Sequence, residues 1–77
     1  GVHVEKGAVV RNSILFRGVK VEKGAVVKNS ILMQDTVVGK RTQVSNIITD
    51  KEVTIRDNQI ISSSDNCPAY YKKNSIV

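Results

Sequence analysis

Residues 1–16, GVHVEKGAVVRNSILF, return almost unchanged seventeen positions later as residues 18–33, GVKVEKGAVVKNSILM. Thirteen of the sixteen positions are identical, and the differences are His3/Lys20, Arg11/Lys28 and Phe16/Met33. A further step of 17 brings residues 36–46, TVVGKRTQVSN, into line in degraded form. A fourth, weaker copy runs through Val53, Thr54, Ile55, Arg56 and Asp57. Self-similarity at a fixed short period is the mark of stacked units, each burying its apolar face on the next.

Inside each copy runs a shorter beat. Val4 and Val10, Val21 and Val27, and Val38 and Val44 are each six apart, as are Leu15 and Val21 and then Leu32 and Val38. A six-residue aliphatic beat in a unit of about 17 residues is the hexapeptide pattern of a parallel β-helix. Each coil is expected to lay three short strands round a triangle, one aliphatic per side pointing in. Successive coils then stack as parallel strands about 4.8 Å apart. The inward set is Val4, Val10, Val21, Val27, Val38 and Val44. Between the second and third copies one residue is expected to drop out, so that Asn46, Ile47 and Ile48 stand against Asn29, Ser30, Ile31 and Leu32.

The composition agrees with strands. The chain of 77 residues holds 13 Val and 8 Ile against 2 Leu and 3 Ala, a β-branched stock that argues against a helical bundle. Stacking also assigns the polar repeats. Asn12, Asn29 and Asn46 fall at one corner, where Asn tolerates the left-handed backbone and its amide can bond along the axis. Gly7 and Gly24 mark a second corner. Arg41 follows them there and is expected to turn differently. The Lys6, Lys23, Lys40 and Glu5, Glu22 ladders should face water, where screening limits like-charge repulsion. The beat stops after Ile61. Residues 62–68 read as a loop, and residues 69–77 as a short extended segment lying across the last coil as a cap. The organisation expected is therefore coils over 1–61 and loop plus C-terminal capping segment over 62–77, a single domain belonging to a longer chain, since it opens on Gly1.

Several function classes fall away. One Cys and one His exclude a disulfide framework and a four-ligand Cys/His zinc site. No apolar run approaches the ~20 residues of a membrane helix, and no signal peptide is visible. Neither a membrane partner nor export is expected, and the location expected is cytoplasmic. The net charge of +5 comes from positives interleaved with Glu5, Glu22, Asp35, Asp50 and Asp57, without aromatics among the repeats, so no nucleic-acid partner is expected. No nucleophile triad, carboxylate pair or phosphate loop can be assembled, and no cofactor site is expected. His3 could serve as the general base of a trimeric hexapeptide acyltransferase. Its repeat mate Lys20, however, marks an outward position and a solvated His. Cys67, before Pro68, has nothing near it in sequence to activate it. The pair Lys72 and Lys73 beside Tyr70 and Tyr71 lies outside the repeat. It reads either as an anion site or as an ordinary charged terminus.

The ordered set NSILMQDTVVG (29–39), TDKEVTIRD (49–57), a loop and a YKK tail resembles the C-terminal β-helix of the glucose-1-phosphate adenylyltransferase (ADP-glucose pyrophosphorylase) family. Among its members it looks most like the bacterial regulatory-type subunit, with the catalytic type the nearer alternative. The resemblance implies a left-handed parallel β-helix, an exception to the right-handed crossover rule. It also implies a preceding nucleotidyltransferase domain in the same chain that holds all the chemistry, and homo- or hetero-oligomers of such subunits. The segment itself would be inactive, contributing assembly and allosteric response in glycogen synthesis. The tail resembles the plant motif YFIKSGIV, which supplies an effector-binding lysine. That places a phosphorylated-effector contact on Lys73, with Lys72 beside it, and Ser75 stands where the motif has Gly. A fragment of a trimeric acyltransferase and a stand-alone interaction solenoid are the rival readings.

Overall fold

The computed structural model describes residues 1–64 and 66–77, and among them all regular structure is β. The first coil winds β1 (His3–Val4), β2 (Val9–Arg11) and β3 (Ile14–Leu15). The second winds β4 (Lys20–Val21), β5 (Val26–Lys28) and β6 (Ile31–Leu32). The third winds β7 (Val37–Val38), β8 (Gln43–Ser45) and β9 (Ile47–Thr49). The fourth winds β10 (Thr54–Ile55), β11 (Ile60–Ser62) and β12 (Ala69–Tyr71). Equivalent strands pair in parallel into three four-stranded sheets, β1-β4-β7-β10, β2-β5-β8-β11 and β3-β6-β9-β12. These are the first, second and third sides of a parallel β-helix of hexapeptide type, 30 Å in its longest extent.

The valine ladder lies where the repeat puts it. Val4 pairs with Val21 and Val21 with Val38, while Val10 pairs with Val27 and Val27 with Val44. Val21, Val27, Val38 and Val44 are buried and Val10 is half-buried. Val4, on the first coil described, departs from the expected inward set: it is 46% exposed. The six-residue beat is also only half of the inward pattern. Each side buries a second residue two places earlier, namely Val19, Ala25, Ser30, Thr36, Thr42, Ile47 and Val53. Strand alternation requires this, since positions i and i−2 share a face.

Two corrections concern the third coil. No residue drops out: Ile31 pairs with Ile48 and Leu32 with Thr49, so the step of 17 is kept. The lost apparent match is an exchange of bulk. Ile47 takes the inner place of small Ser30, and Thr49 takes the inner place of Leu32. Buried Thr49 keeps its hydroxyl satisfied by Thr36 Oγ1 at 3.0 Å, and Thr36 Oγ1 also donates to the Asp50 carbonyl. Arg41, expected to turn differently from Gly7 and Gly24, has φ +54 and follows the same left-handed corner. Its side chain is exposed, and its Nε donates to Asn58 Oδ1 one coil on, which helps to offset the roughly 1–2 kcal/mol that a non-Gly residue spends there.

Asn12, Asn29 and Asn46 share a left-handed corner, with φ between +48 and +58. Asn12 Nδ2 donates to Asn29 Oδ1 at 2.7 Å and Asn46 Nδ2 to the Ser63 carbonyl at 2.8 Å. A third ladder of the same conformation, Gly18, Asp35, Glu52 and Asn74, closes the triangle. Its residue types vary too much to be visible as a repeat. The Lys6, Lys23 and Lys40 ladder faces water. Glu5 and Glu22 are half-buried and lie near His3 and Lys20 on the first side.

The C-terminal segment continues the winding, with Ala69–Tyr71 as the third strand of the fourth coil. Tyr70 pairs with Ile48, a step of 22 that makes room for the expected loop, of which Asp65 lies outside the described residues. After β12 the chain turns through Asn74, and Ile76 bridges to Thr54 as the start of a fifth coil. Ala69, Tyr71 and Val77 pack against the core.

Candidate functional site

The third side presents an outward column of apolar residues. Leu15 and Leu32 point in, so their strand neighbours Ile14 and Ile31 must point out. The registers of β3, β6, β9 and β12 align Ile14, Ile31, Ile48 and Tyr70 in one outward column. Ile14 is 58% exposed, Tyr70 60% and Ile31 36%, and Phe16 adds to them on the first coil. Contiguous exposed apolar surface is the kind of feature at which partners dock. The signal was present in the paired aliphatics Ile14-Leu15 and Ile31-Leu32, only one of which can be core.

Lys72 and Lys73 lie at the top of this side, in the turn leading to the fifth coil, and both are exposed. Ser75 Oγ donates to the Lys72 carbonyl at 2.6 Å and holds the turn. The tyrosine hydroxyl beside them is engaged: Tyr70 Oη donates to Asp50 Oδ2 at 2.8 Å, while Lys51 N donates to Asp50 Oδ1 at 2.7 Å. The Lys51 N–H, then the Tyr70 hydroxyl, and then the charges of Lys51 and Lys73 hold the Asp50 carboxyl below its ordinary 3.8. The same hydrogen bond raises the Tyr70 phenol above its ordinary value.

A folded-state pKa below the unfolded one contributes stability above the unfolded value and loses it as pH falls through the folded value. Tyr70→Phe should therefore lower the thermal midpoint at pH 7. The gap to the parent should close below pH 3.8, as Asp50 protonates in both states. A constant gap from pH 7 to pH 2 would remove the carboxylate from the contact.

His3 Nε2 lies 3.7 Å from Glu5 Oε2, an arrangement that could orient a catalytic imidazole. A corresponding contact recurs one coil on between Lys20 and Glu22 at 3.9 Å, so the His3–Glu5 pair is a feature of the repeat on an exposed side chain. Cys67 is an exposed free thiol. Among the described residues no group of three or more His, Cys, Asp or Glu is placed to hold a metal, and no helix is long and apolar enough to cross a membrane.

A parallel β-helix of 17-residue coils, with three short parallel strands per coil, defines a hexapeptide-repeat domain. The chain belongs to the GlmU-like, C-terminal hexapeptide family, which it matches over residues 1–69. It is thus a C-terminal hexapeptide domain of the nucleotidyltransferase type. Neither a curated protein nor a solved structure matches the chain.

Proposed function

We propose that this domain is the structural and regulatory β-helix of a glucose-1-phosphate adenylyltransferase of glycogen synthesis. It supports subunit assembly and effector response and has no catalytic site of its own. The observation that carries the reading is the outward column Ile14, Ile31, Ile48 and Tyr70 in a chain of this family. An assembly domain needs an apolar surface and no reactive constellation. The sequence over residues 29–39 and the YKK tail support the particular enzyme. Its partners are then the nucleotidyltransferase domain of the same chain and sister subunits in the cytoplasm, and a phosphorylated effector touches Lys73 with Lys72 alongside.

Two assays test this. The purified chain, given glucose 1-phosphate and ATP, should form no ADP-glucose, whereas the full-length protein should. Turnover by the chain itself, or an acyl-transfer activity from a trimer, would overturn the reading. In the full-length assembly Lys73→Ala should displace the activation curve to higher effector concentration. An unchanged curve would remove Lys73 from the effector site.

A further inference from the structure

The second side carries a groove of about 260 Å³ that the assembly reading does not use. Its lining includes Val26, Lys28, Gln43, Ser45, Ile60 and Ser62. The ladder explains its shape. The registers of β2, β5, β8 and β11 build two outward columns: Val9, Val26, Gln43 and Ile60, and beside it Arg11, Lys28, Ser45 and Ser62. In the second column two long cations give way to two serines, so a hollow opens above Lys28. Ile60, 78% exposed, and Val26 wall it.

The chemistry of the lining is one-sided. Lys28 offers an ammonium, Ser45 and Ser62 hydroxyls and Gln43 an amide. Among the described residues no carboxylate lines the groove, and neither Arg11 nor Lys28 forms an ion pair. This differs from the tail, where the charge of Lys73 acts on Asp50, and from the first side, whose groove is lined by Glu22, Arg56 and Asp57.

We propose that this groove binds a phosphomonoester dianion. The phosphoryl oxygens take the Lys28 ammonium and the Ser45 and Ser62 hydroxyls, matching three acceptor oxygens to donors on three residues. Arg11, one rung below Lys28 at about 4.8 Å, adds positive field. The organic part of the ligand lies against Val26 and Ile60. The volume is below the roughly 300–1,000 Å³ of drug-sized pockets, which selects a small phosphorylated metabolite over a nucleotide. The site stands independently of the adenylyltransferase reading and apart from Lys72 and Lys73.

The test is an NMR titration of the chain with inorganic phosphate and with glycerol 3-phosphate, following backbone amides. Saturable shifts are expected at Lys28, Ser45 and Ser62 with both probes, and tighter binding of glycerol 3-phosphate. Binding of glycerol 3-phosphate should strengthen from pH 5.5 to 7.5 as the second proton of a phosphomonoester leaves near pH 6. Lys28→Ala should weaken it about tenfold or more, as loss of a charge-assisted bond does. Lys28 is exposed, so the variant should melt like the parent, and Ser45→Ala should give a smaller loss. Lys73→Ala should leave the titration unchanged. Shifts that never saturate, that centre on residues 72–73, or that survive Lys28→Ala would overturn the site. Inorganic phosphate binding as tightly as glycerol 3-phosphate would overturn the role given to Val26 and Ile60.

Discussion

Val27→Asp should abolish the cooperative unfolding transition of this domain. Val27 is fully buried at the middle of the second side, paired with Val10 below and Val44 above in an aliphatic interior. No cationic side chain belongs to that core, so a carboxylate there is unpaired. An isolated buried charge costs several kcal/mol, and even a protonated carboxyl without a partner costs roughly 2–7 kcal/mol. A domain of this length commands roughly 4–12 kcal/mol in all. The control is Val26→Asp, the neighbouring residue on the same strand, whose side chain faces outward. A shift of one residue reverses the face, so this variant should still melt cooperatively, within a few degrees of the parent. Equal melting of Val27→Asp and the parent would show that the inward set is wrong.

The second large effect is expected at Gly39. Gly39 is buried, and its backbone is not left-handed, so conformational strain is not the issue. A Cβ built there meets Arg56 C and Asp57 N, each at 2.6 Å, the backbone of the next coil's corner. That corner is itself pinned, since Gly39 N donates to the Ile55 carbonyl at 2.8 Å and Lys40 N to Asp57 Oδ1 at 2.8 Å. Backbone cannot rotate away as a side chain can, so the two coils must part. Gly39→Ala should cost about 1–3 kcal/mol from overpacking, toward the upper end. Gly24→Ala meets Arg41 Cγ at 3.3 Å and no backbone nearer than 3.9 Å, and adds the left-handed penalty at φ +73, about 1 kcal/mol. Urea midpoints of the two variants should fall in that order. The reverse order would mean that the coils are not held together at this corner.

These two sites also show what the sequence disclosed. Val27 and its ladder could be read directly, because thirteen identities at one spacing leave the stacking register no freedom. The Asn corner was legible for the same reason, as one residue type repeated at a position where few types are tolerated. The third coil was not, because Ile47 and Thr49 trade volume with Ser30 and Leu32: packing conserves the filled space, whereas alignment compares residues one at a time. Arg41 misled because the left-handed conformation is a preference of about 1 kcal/mol, which a neighbouring hydrogen bond can outweigh.

The candidate site was legible in part. Lys72 and Lys73 stood out as lying off the repeat, but their relation to Asp50 crosses a loop whose five extra residues hide the register of Tyr70. The outward isoleucines do not stand out in the repeat, because two adjacent aliphatics such as Ile14-Leu15 do not by themselves say which of them faces in. The groove on the second side arises from Ser45 and Ser62 standing where earlier coils have Arg11 and Lys28. It exists only once the coils are stacked.

We propose that this domain assembles and tunes a nucleotidyltransferase without taking part in its chemistry. The most direct measurement is sedimentation of the full-length protein with and without the segment corresponding to residues 1–77, paired with ADP-glucose formation across effector concentrations. The truncated protein should sediment as a smaller species, and its activity should no longer respond to effector. A truncated protein that keeps both its native mass and its effector response would contradict it.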